Sequence, residues 1–440
     1  MKKFLTIITT LILLIIPITS FANTDNNLKI YSPSCILIDA DSGKIIYEKN
    51  IHEKMYPAST TKIMTAILAI EKCDLKELAT VSENSVSEES VPEGYVRSHL
   101  VPGESFTIEQ LLNVLLIPSA NDAAIVLAEH ISKSTGEFSN LMNKKAEELG
   151  CKNTHFVNPN GVHNNNHYST VYDMCLIARY AMNNETFRNI VCKTSYTLPP
   201  TDKYTEDDRE FQTTNDLLFT KTKNGKENPC FYEYATGVKT GFTDEAGYCL
   251  VASAKKDNNN YIAVTFGNNE KIDGKSERAV DCTTLFNYAI ENYKEKNIFT
   301  KNTVVKQVNV ELPSRKNEPV QTEPLNILIE NTVSVKTTEN IENITPKITI
   351  QENLKTPILE GTILGTIECE IDGTIYKSNL IAGENIIPTK DISYIFNFLL
   401  LLLIIIIVLT ILSHFIHNHR KHKKNQNNKN EFWDYKITNF

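Results

Sequence analysis

The stretch P-A-S-T-T-K-I-M-T-A-I-L-A-I-E-K, residues 57–72, is the part of the sequence that decides the fold. A proline and a small residue lead into it, and apolar residues then recur three or four positions apart. That spacing puts them on one face of a helix, and the lead-in is typical of a helix N-terminus. We therefore predict a helix whose apolar face packs on a core through Ile63, Ala66, Ile67 and Ile70.

Ser59 and Lys62 are three positions apart, so they share one face at the start of this helix. A serine is a weak nucleophile and needs a neighbouring base, which a lysine can be if burial or a nearby positive charge lowers its pKa. The helix N-terminus also offers free N–H groups to an oxyanion. The pair is a candidate nucleophile and base, but Ser253 and Lys256 have the same spacing in a predicted strand.

Two further motifs follow in the chain. Ser119-Ala120-Asn121 comes directly after Pro118, which ends a helix opened by the capping box Thr107-Ile-Glu-Gln110. Lys239-Thr240-Gly241 occurs once, in a strand-like run. A lone S-x-N match is weak, because Ser82-Glu-Asn84 fits it too. The three motifs in this order are, however, the set found in penicillin-binding proteins and class A β-lactamases.

The pattern of apolar residues predicts an α+β domain over residues 28–297. A hairpin is expected at residues 34–48, a cluster of helices between residues 107 and 182, and antiparallel strands between residues 234 and 267. A last helix is expected at residues 276–293. This order favours helices packed on an antiparallel sheet.

A small all-β domain is predicted over residues 298–389, because Val, Ile and Thr alternate there with polar residues and no helical period appears. It contains no catalytic motif, so we interpret it as a stalk, with a second ligand-binding module as the alternative. Its strands are expected at residues 304–312, 325–335, 347–350, 363–371 and 373–381.

The N-terminus carries an export signal. Lys2 and Lys3 precede an apolar run, and Ser20-Phe-Ala22 is a small-x-small cleavage pattern. These features predict a signal peptide over residues 1–22, with an uncleaved anchor as the alternative.

The C-terminus carries a membrane anchor. An uncharged, leucine- and isoleucine-rich run at residues 394–413 predicts one transmembrane helix. The basic tail at residues 414–440 is then expected in the cytoplasm. We therefore expect an exported protein, anchored in the cytoplasmic membrane, with its first domain outside the cell membrane. The tail histidines fit a solvated basic anchor better than a metal site.

Composition excludes some function classes. The 440 residues suffice for two or three domains, and a net charge of -8 gives no indication of nucleic-acid binding. The nine cysteines form no C-x-x-C pair, so no metal site is predicted. Several lie in apolar patterns, so we expect buried free thiols and not a disulfide framework.

The chain resembles the D-alanyl-D-alanine carboxypeptidases among the low-molecular-mass penicillin-binding proteins, serine peptidase family S11. The resemblance covers nearly the whole exported part and is fainter in the β domain. It departs from the family pattern at Ala120, where a glycine is frequent, and in a spanning segment that replaces a surface-lying helix. The segments that carry it include DADSGKIIYEKN, PASTTKIMTA, LLIPSANDAAIVLAEH, ATGVKTGFTDEAGYCLVASA and LEGTILGTIECEIDG.

The resemblance implies a β-lactamase/transpeptidase-like fold and a role for each motif residue. Ser59 attacks the carbonyl of the penultimate D-alanine of a peptidoglycan stem peptide, and Lys62 takes the serine proton. Ser119 and Asn121 hydrogen-bond around Lys62, and Ser119 passes a proton to the leaving D-alanine.

The second half of the motif set is implied to bind substrate. Lys239 supplies a positive field, and Thr240 binds the substrate carboxylate with Arg278 as a candidate second contact. Gly241 belongs to the same motif, and the backbone N–H groups of Ser59 and Phe242 form an oxyanion hole. No cofactor or metal is implied.

The implied partners are the peptidoglycan stem peptide, β-lactams as covalent inhibitors and the cytoplasmic membrane, with no protein partner evident. A D,D-endopeptidase, a transpeptidase or a β-lactamase on the same fold remains an alternative. So does a non-catalytic wall-binding or β-lactam-sensing protein, although the tail is short for a signalling domain.

Overall fold

The computed structural model describes residues 28–221, 225–314, 319–387 and 389–437, and the predicted signal peptide lies outside these residues. The described chain divides into two units. The first runs to Glu295 and includes Lys336–Thr338, and the second comprises Lys296–Val335 and continues from Glu339.

A five-stranded antiparallel sheet forms the centre of the first unit, with the strand order β2-β1-β9-β8-β7. Every residue of β1 is buried because both faces of the sheet are covered. Cys35 and Leu37 pack into one apolar cluster, whereas Ile36 and Ile38 pack into the other. The strands are β1 Ser34–Asp39, β2 Ile45–Lys49, β7 Ala235–Thr243, β8 Gly247–Lys256 and β9 Asn259–Asn268.

Helices cover this sheet, which confirms the predicted α+β class. The last helix contributes Cys282, Leu285 and Phe286 to the cluster that contains Leu37, and the other helices build the larger cluster. The helices are α1 Lys62–Lys72, α2 Ile108–Leu116, α3 Asn121–Ser132, α4 Thr135–Glu148, α5 Val171–Met182, α6 Glu185–Val191 and α7 Glu277–Asn292. Short strands outside the central sheet form separate antiparallel pairs. These pairs are β3 Leu78–Thr80 with β4 Ser105–Thr107, β5 Ser195–Thr197 with β6 Glu210–Gln212, and β10 Lys271–Ile272 with β11 Lys275–Ser276.

Two details of the first unit differ from the prediction. The helix predicted to carry Ser59 begins as a 3₁₀ turn, Ala58–Thr61, and becomes α-helical only at Lys62. Helix α6 was not predicted, since its 7 residues make only two turns and show little period. Asn184 caps it by accepting a hydrogen bond from Phe187 N–H.

The second unit is the predicted all-β domain, with a five-stranded sheet in the order β13-β14-β18-β17-β16 and a separate pair β12-β15. Alternate residues of β14, Leu325, Ile327 and Ile329, point into its core. The single strand predicted at residues 325–335 is wrong, because polar residues 330–332 interrupt it and β15 pairs with β12. The strands are β12 Lys294–Phe299, β13 Val304–Glu311, β14 Thr322–Ile329, β15 Val333–Thr337, β16 Lys347–Ile350, β17 Ile363–Ile371 and β18 Thr374–Ala382.

The C-terminal helix α8 spans Thr389–Ile437. Its segment Ile395–Lys421 is 27 residues long, is apolar enough to cross a membrane and buries no side chain against the rest of the chain. At 1.5 Å per residue, about 20 residues cross a bilayer core. The helix therefore fits the predicted membrane anchor.

Candidate active site

The 3₁₀ turn Ala58–Thr61 holds Ser59 partly exposed at the start of α1. Two glycines make room for this turn. A Cβ at Gly161 would lie 1.9 Å from the carbonyl oxygen of Ala58, and one at Gly241 would lie 3.1 Å from Ser59 N. The turn therefore fits between a loop and strand β7 only because neither position carries a side chain.

Lys62 is fully buried, and its Nζ contacts three oxygen atoms. Ser59 Oγ lies at 2.9 Å, Asn121 Oδ1 at 2.8 Å and the carbonyl oxygen of Asn160 at 2.7 Å. The amide oxygen and the carbonyl oxygen can only accept hydrogen bonds, whereas a hydroxyl can also donate. A neutral Lys62 amine has two N–H groups for those two acceptors, which leaves its lone pair for the Ser59 hydroxyl.

The surroundings of Lys62 favour its neutral form. Burial lowers its pKa well below the ordinary value, and the positive charge of Lys239 lowers it further. Asp122 acts in the opposite direction. Burial also raises the pKa of Asp122, although this carboxyl accepts hydrogen bonds from Ser98 N–H and Ser98 Oγ–H. Lys62 is thus poised to accept a proton.

Ser119 and Asn121 follow the end of α2. Ser119 has a left-handed backbone with φ 74, and Asn121 is the first residue of α3. Asn121 donates from its backbone N–H and from Nδ2 to the Val96 carbonyl, both at 2.9 Å, so it also anchors the loop at residues 93–96. No hydrogen bond joins Ser119 Oγ to another side chain within the described ranges, so the implied contact with Lys62 is made by Asn121 alone.

Strand β7 brings the K-T-G motif beside the nucleophile. Lys239 is buried, its Nζ donates to the Thr240 carbonyl at 2.9 Å, and burial together with the Arg278 charge lowers its pKa to about 7. The Thr240 hydroxyl bonds to the hydroxyl of Thr214. Phe242 is 46% exposed and packs on Tyr248. The strand therefore places the Thr240 hydroxyl and the exposed Phe242 ring beside the buried Lys239 amine.

The side chain of Arg278, on α7, contacts the backbone of the K-T-G strand. Its Nη1 donates to the carbonyls of Gly241 at 3.2 Å and Cys249 at 3.4 Å, and Nη2 lies 3.7 Å from Asp216. Its side chain is 12% exposed and faces the cleft. A guanidinium with spare N–H groups at this position can bind a carboxylate.

These residues line one cleft of about 400 Å³. Of the sequence-predicted site residues, Lys62 and Lys239 are buried beneath the cleft and the others line it.

The Asn160 carbonyl, Thr214 and the loop at residues 93–96 were not predicted from the sequence, although the glycine-containing run N-P-N-G at residues 158–161 indicated a tight turn. The residues lining the cleft include Ser59, Tyr95, Val96, Ser119, Asn121, Thr214, Thr240, Gly241, Phe242, Tyr248 and Arg278.

The loop at residues 156–168 supports Ser59 and Lys62 from below. Thr65 Oγ1 donates to the Pro159 carbonyl at 2.6 Å. His167 Nδ1 accepts from Val157 N–H at 3.0 Å, so its Nε2–H donates to Thr61 Oγ1 at 2.8 Å. Burial lowers the pKa of His167 to about 3, so the imidazole ring stays neutral in this tautomer. His167 is thus a structural residue of this loop.

Two protein families match the chain. The family described as D-alanyl-D-alanine carboxypeptidase matches residues 21–270, and the penicillin-binding protein 5 C-terminal domain matches residues 293–387. The D-alanyl-D-alanine carboxypeptidase DacF of Bacillus subtilis (strain 168) is 34% identical over 391 residues, which cover 87% of this chain and 94% of that protein. DacC of Escherichia coli (strain K12) is 27% identical over 378 residues, 83% of this chain and 87% of that protein.

Solved structures agree with these matches. The Streptomyces K15 DD-transpeptidase is 30% identical and superimposes with a TM-score of 0.53, covering 60% of this chain and 98% of that chain. Penicillin-binding protein 5 of Haemophilus influenzae, at 23% identity, shows the same fold with a TM-score of 0.54 over 81% of this chain and 98% of that chain.

The fold and the site define a serine-type carboxypeptidase of the penicillin-binding class. The chain belongs to the D-alanyl-D-alanine carboxypeptidase family of serine peptidases, family S11. A serine acyl-enzyme and sensitivity to penicillin are typical of this family.

Proposed function

We propose that this protein removes the terminal D-alanine from peptidoglycan stem pentapeptides through an acyl-enzyme on Ser59. One observation carries the proposal. Lys62 Nζ contacts Ser59 Oγ while its two other contacts, Asn121 Oδ1 and the Asn160 carbonyl, are obligate acceptors. A neutral amine in that setting can only accept from the Ser59 hydroxyl, as a general base does.

In the first step, Ser59 Oγ bonds to the carbonyl carbon of the penultimate D-alanine, and its proton moves to Lys62 Nζ. The carbonyl oxygen becomes negative and is held by the N–H groups of Ser59 and Phe242. The Ser59 N–H lies in the first turn of its helix, where amides have no intrahelical acceptor. Thr240 and Arg278 bind the terminal carboxylate of the substrate.

In the second step, the bond from that carbon to the nitrogen of the terminal D-alanine breaks. The leaving nitrogen takes the proton that Lys62 received, and Ser119, which lines the cleft but is not hydrogen-bonded to Lys62 within the described residues, is the proposed relay. Water then attacks the ester, the shortened peptide leaves, and Ser59 regains its proton. A β-lactam enters the same pathway, but its leaving nitrogen stays tethered, so its adduct with Ser59 lasts.

Acyl transfer to an amine is a second candidate function. It is favoured by the 30% identity to the Streptomyces K15 DD-transpeptidase. The chemistry up to the acyl-enzyme is the same, and the two outcomes differ only in whether water or an amine accepts the acyl group.

The test is D-alanine release from a peptide ending in D-Ala-D-Ala by the full chain in detergent micelles. We expect release and fluorescent-penicillin labelling that both vanish in Ser59→Ala. Ser253→Ala is the matched control, because Ser253 has the same spacing to a lysine but is buried and bonded to Thr236. Labelling that survives Ser59→Ala would place the nucleophile elsewhere. Release that rises only with an added amino-acid acceptor would favour transpeptidation.

The location of the protein is part of the same proposal. We propose that residues 1–22 are removed on export, that residues 28–297 and 298–389 lie outside the cytoplasmic membrane, and that residues 394–413 span it. The basic residues after the apolar run, including Arg420 and Lys421, would keep the tail inside. Protease added to intact spheroplasts should remove the penicillin-labelled domain and leave a tail epitope protected. A tail cleaved in intact spheroplasts would reverse the orientation.

A further inference from the structure

A group of three potential metal ligands lies outside the catalytic cleft. Cys73, Glu77 and His130 each offer one ligand atom, and these atoms all lie within 4.8 Å of one another. His130 Nε2 is already 3.0 Å from Glu77 Oε1. This contact accounts for two of the side chains but does not account for the Cys73 thiol, which lies within 4.8 Å of both ligand atoms.

Two chain segments, residues 73–77 after α1 and the last turn of α3, hold the group in place. Cys73 caps α1, and its N–H donates to the Ala69 carbonyl. Glu77 lies in the turn after α1, and its carbonyl accepts from Ile108 N–H at 2.9 Å. His130 belongs to the last turn of α3. The backbone of each ligand is thus held by secondary structure or its own hydrogen bonds, while the Glu77 side chain is 46% exposed and contacts His130.

The donor set selects the kind of metal. A thiolate, an imidazole and a carboxylate together suit Zn²⁺, whereas Mg²⁺ and Ca²⁺ prefer oxygen donors alone. Tetrahedral zinc with bonds of about 2.0–2.3 Å needs ligand atoms about 3.3–3.8 Å apart. The present spacing therefore requires adjustments of up to about 1 Å by these side chains. Three protein ligands leave a fourth position for water.

We propose that Cys73, Glu77 and His130 form a Zn²⁺ site that joins the end of α1 to the end of α3. Binding replaces the Cys73 thiol proton with a sulfur–zinc bond and releases the proton to solvent, with no change in oxidation state. The two helices begin at Lys62 and Asn121, whose side chains are hydrogen-bonded. The ion thus joins the far ends of the same two helices, about 16 Å along the axis of α1 from the backbone of Lys62.

The probe is Co²⁺ added to the full chain in detergent micelles under reducing conditions. Thiolate ligation gives a sulfur-to-cobalt charge-transfer band, which histidines in the basic tail cannot produce. We expect the band in the wild type and its loss in Cys73→Ala. Cys192→Ala is the matched control, because Cys192 is an exposed free cysteine outside the group, and it should keep the band.

Two further variants test the other ligands. His130→Gln and Glu77→Gln should weaken Co²⁺ binding at least about tenfold. Penicillin labelling of every variant reports whether it has folded, and Cys73→Ser replaces Cys73→Ala if labelling fails. Absence of the band in the wild type, or its survival in Cys73→Ala and Cys73→Ser, would overturn the proposal.

Discussion

Lys62 Nζ lies 2.7 Å from the carbonyl oxygen of Asn160 and 2.8 Å from Asn121 Oδ1, so these two oxygen atoms accept both hydrogens of the neutral amine and leave its lone pair for the Ser59 hydroxyl. Neither of these oxygens carries a charge. They orient the amine without stabilising its protonated form as strongly as a carboxylate would. The charge on the group beside Lys62 should therefore set the pH range of acylation.

Asn121→Asp tests this relationship. A carboxylate at the position of Asn121 Oδ1 favours the ammonium form, so the pKa of Lys62 should rise by one to three units, on the order of what an adjacent opposite charge produces. The acid limb of the acylation rate should move to higher pH by the same amount. The measurement is the second-order rate of labelling by a fluorescent penicillin across pH.

Asn121→Ala is the control for that experiment. It removes the acceptor without adding a charge, so it should slow acylation with a much smaller shift of the acid limb. A profile for Asn121→Asp that coincides with that of Asn121→Ala would show that charge at this position does not govern Lys62.

Lys239 offers a prediction about stability. Burial, with help from Arg278, lowers its pKa to about 7 from 10.5 in the unfolded chain. Between those values the unfolded chain binds a proton that the folded chain does not, so the free energy of unfolding should rise with pH across this window. Below pH about 7 both states bind the proton and the penalty is constant.

Lys239→Met should remove this slope. At neutral pH the variant should be more stable than the wild type, because no ammonium is kept from water, while its penicillin labelling should be slower. Urea unfolding of the two proteins at a series of pH values measures the effect. Parallel stability curves would mean that Lys239 keeps an ordinary pKa.

The sequence predicted the side chains of the site better than its backbone groups. Ser59, Lys62, Asn121 and the K-T-G strand meet as the motifs implied, since each motif fixes side-chain types at set spacings. The Asn160 carbonyl could not be predicted in the same way. Every residue has a carbonyl, and only the folded loop shows which one faces the amine.

Short elements and strand breaks were also beyond prediction. Helix α6 has 7 residues, too few for a helical period to stand out. The turn between β14 and β15 lies at Glu330, Asn331 and Thr332, in a run that otherwise alternates like one strand. Partner strands decide such breaks, because β15 pairs with β12 and not with the neighbours of β14.

Gly161 gives a prediction with a matched control. It has φ +84, and an added Cβ would meet the Ala58 carbonyl oxygen at 1.9 Å. Gly150 has φ +85 with nothing within 4 Å of an added Cβ. Gly150→Ala should therefore cost only the backbone strain, about 1 kcal/mol. Gly161→Ala should cost more and displace the turn that carries Ser59, which should slow acylation severely.

Thermal unfolding and penicillin labelling of both glycine variants measure the difference. The decisive quantity is the loss of labelling at a temperature where both variants are folded. Equal labelling by Gly161→Ala and Gly150→Ala would mean that the loop does not position Ser59.

Arg278 is expected to distinguish substrates by their terminal carboxylate. We predict that Arg278→Gln lowers kcat/KM for a peptide ending in D-Ala-D-Ala by about 10- to 100-fold, the usual effect of losing a charged hydrogen bond. The same peptide with an amidated C-terminus lacks the carboxylate, so its slow hydrolysis should change little. Arg278→Lys keeps the charge and should retain part of the preference. A uniform loss on both peptides would indicate that Arg278 only supports Gly241 and Cys249.

The buried ion pair of Arg209 and Glu104 should contribute strongly to stability. Both side chains are 0% exposed, the guanidinium nitrogens lie 3.0 and 3.1 Å from the carboxylate oxygens, and Arg209 also stacks on Tyr204. Arg209→Met leaves the carboxylate buried without its cation, which should cost roughly 3–5 kcal/mol. Adding Glu104→Gln to this variant removes the unpaired buried carboxylate and should restore part of the lost stability.

The exposed pair of Lys271 and Glu270 is the control for this prediction. Its side chains are 63% and 61% exposed, so water and salt screen the interaction. Lys271→Met should therefore unfold at nearly the same temperature as the wild type. The measurement is the temperature at which penicillin labelling is lost. If Arg209→Met is no less stable than Lys271→Met, the buried ion pair contributes no more to stability than the exposed one. If the double variant is no more stable than Arg209→Met, the loss comes from packing around Tyr204 and not from the unpaired carboxylate.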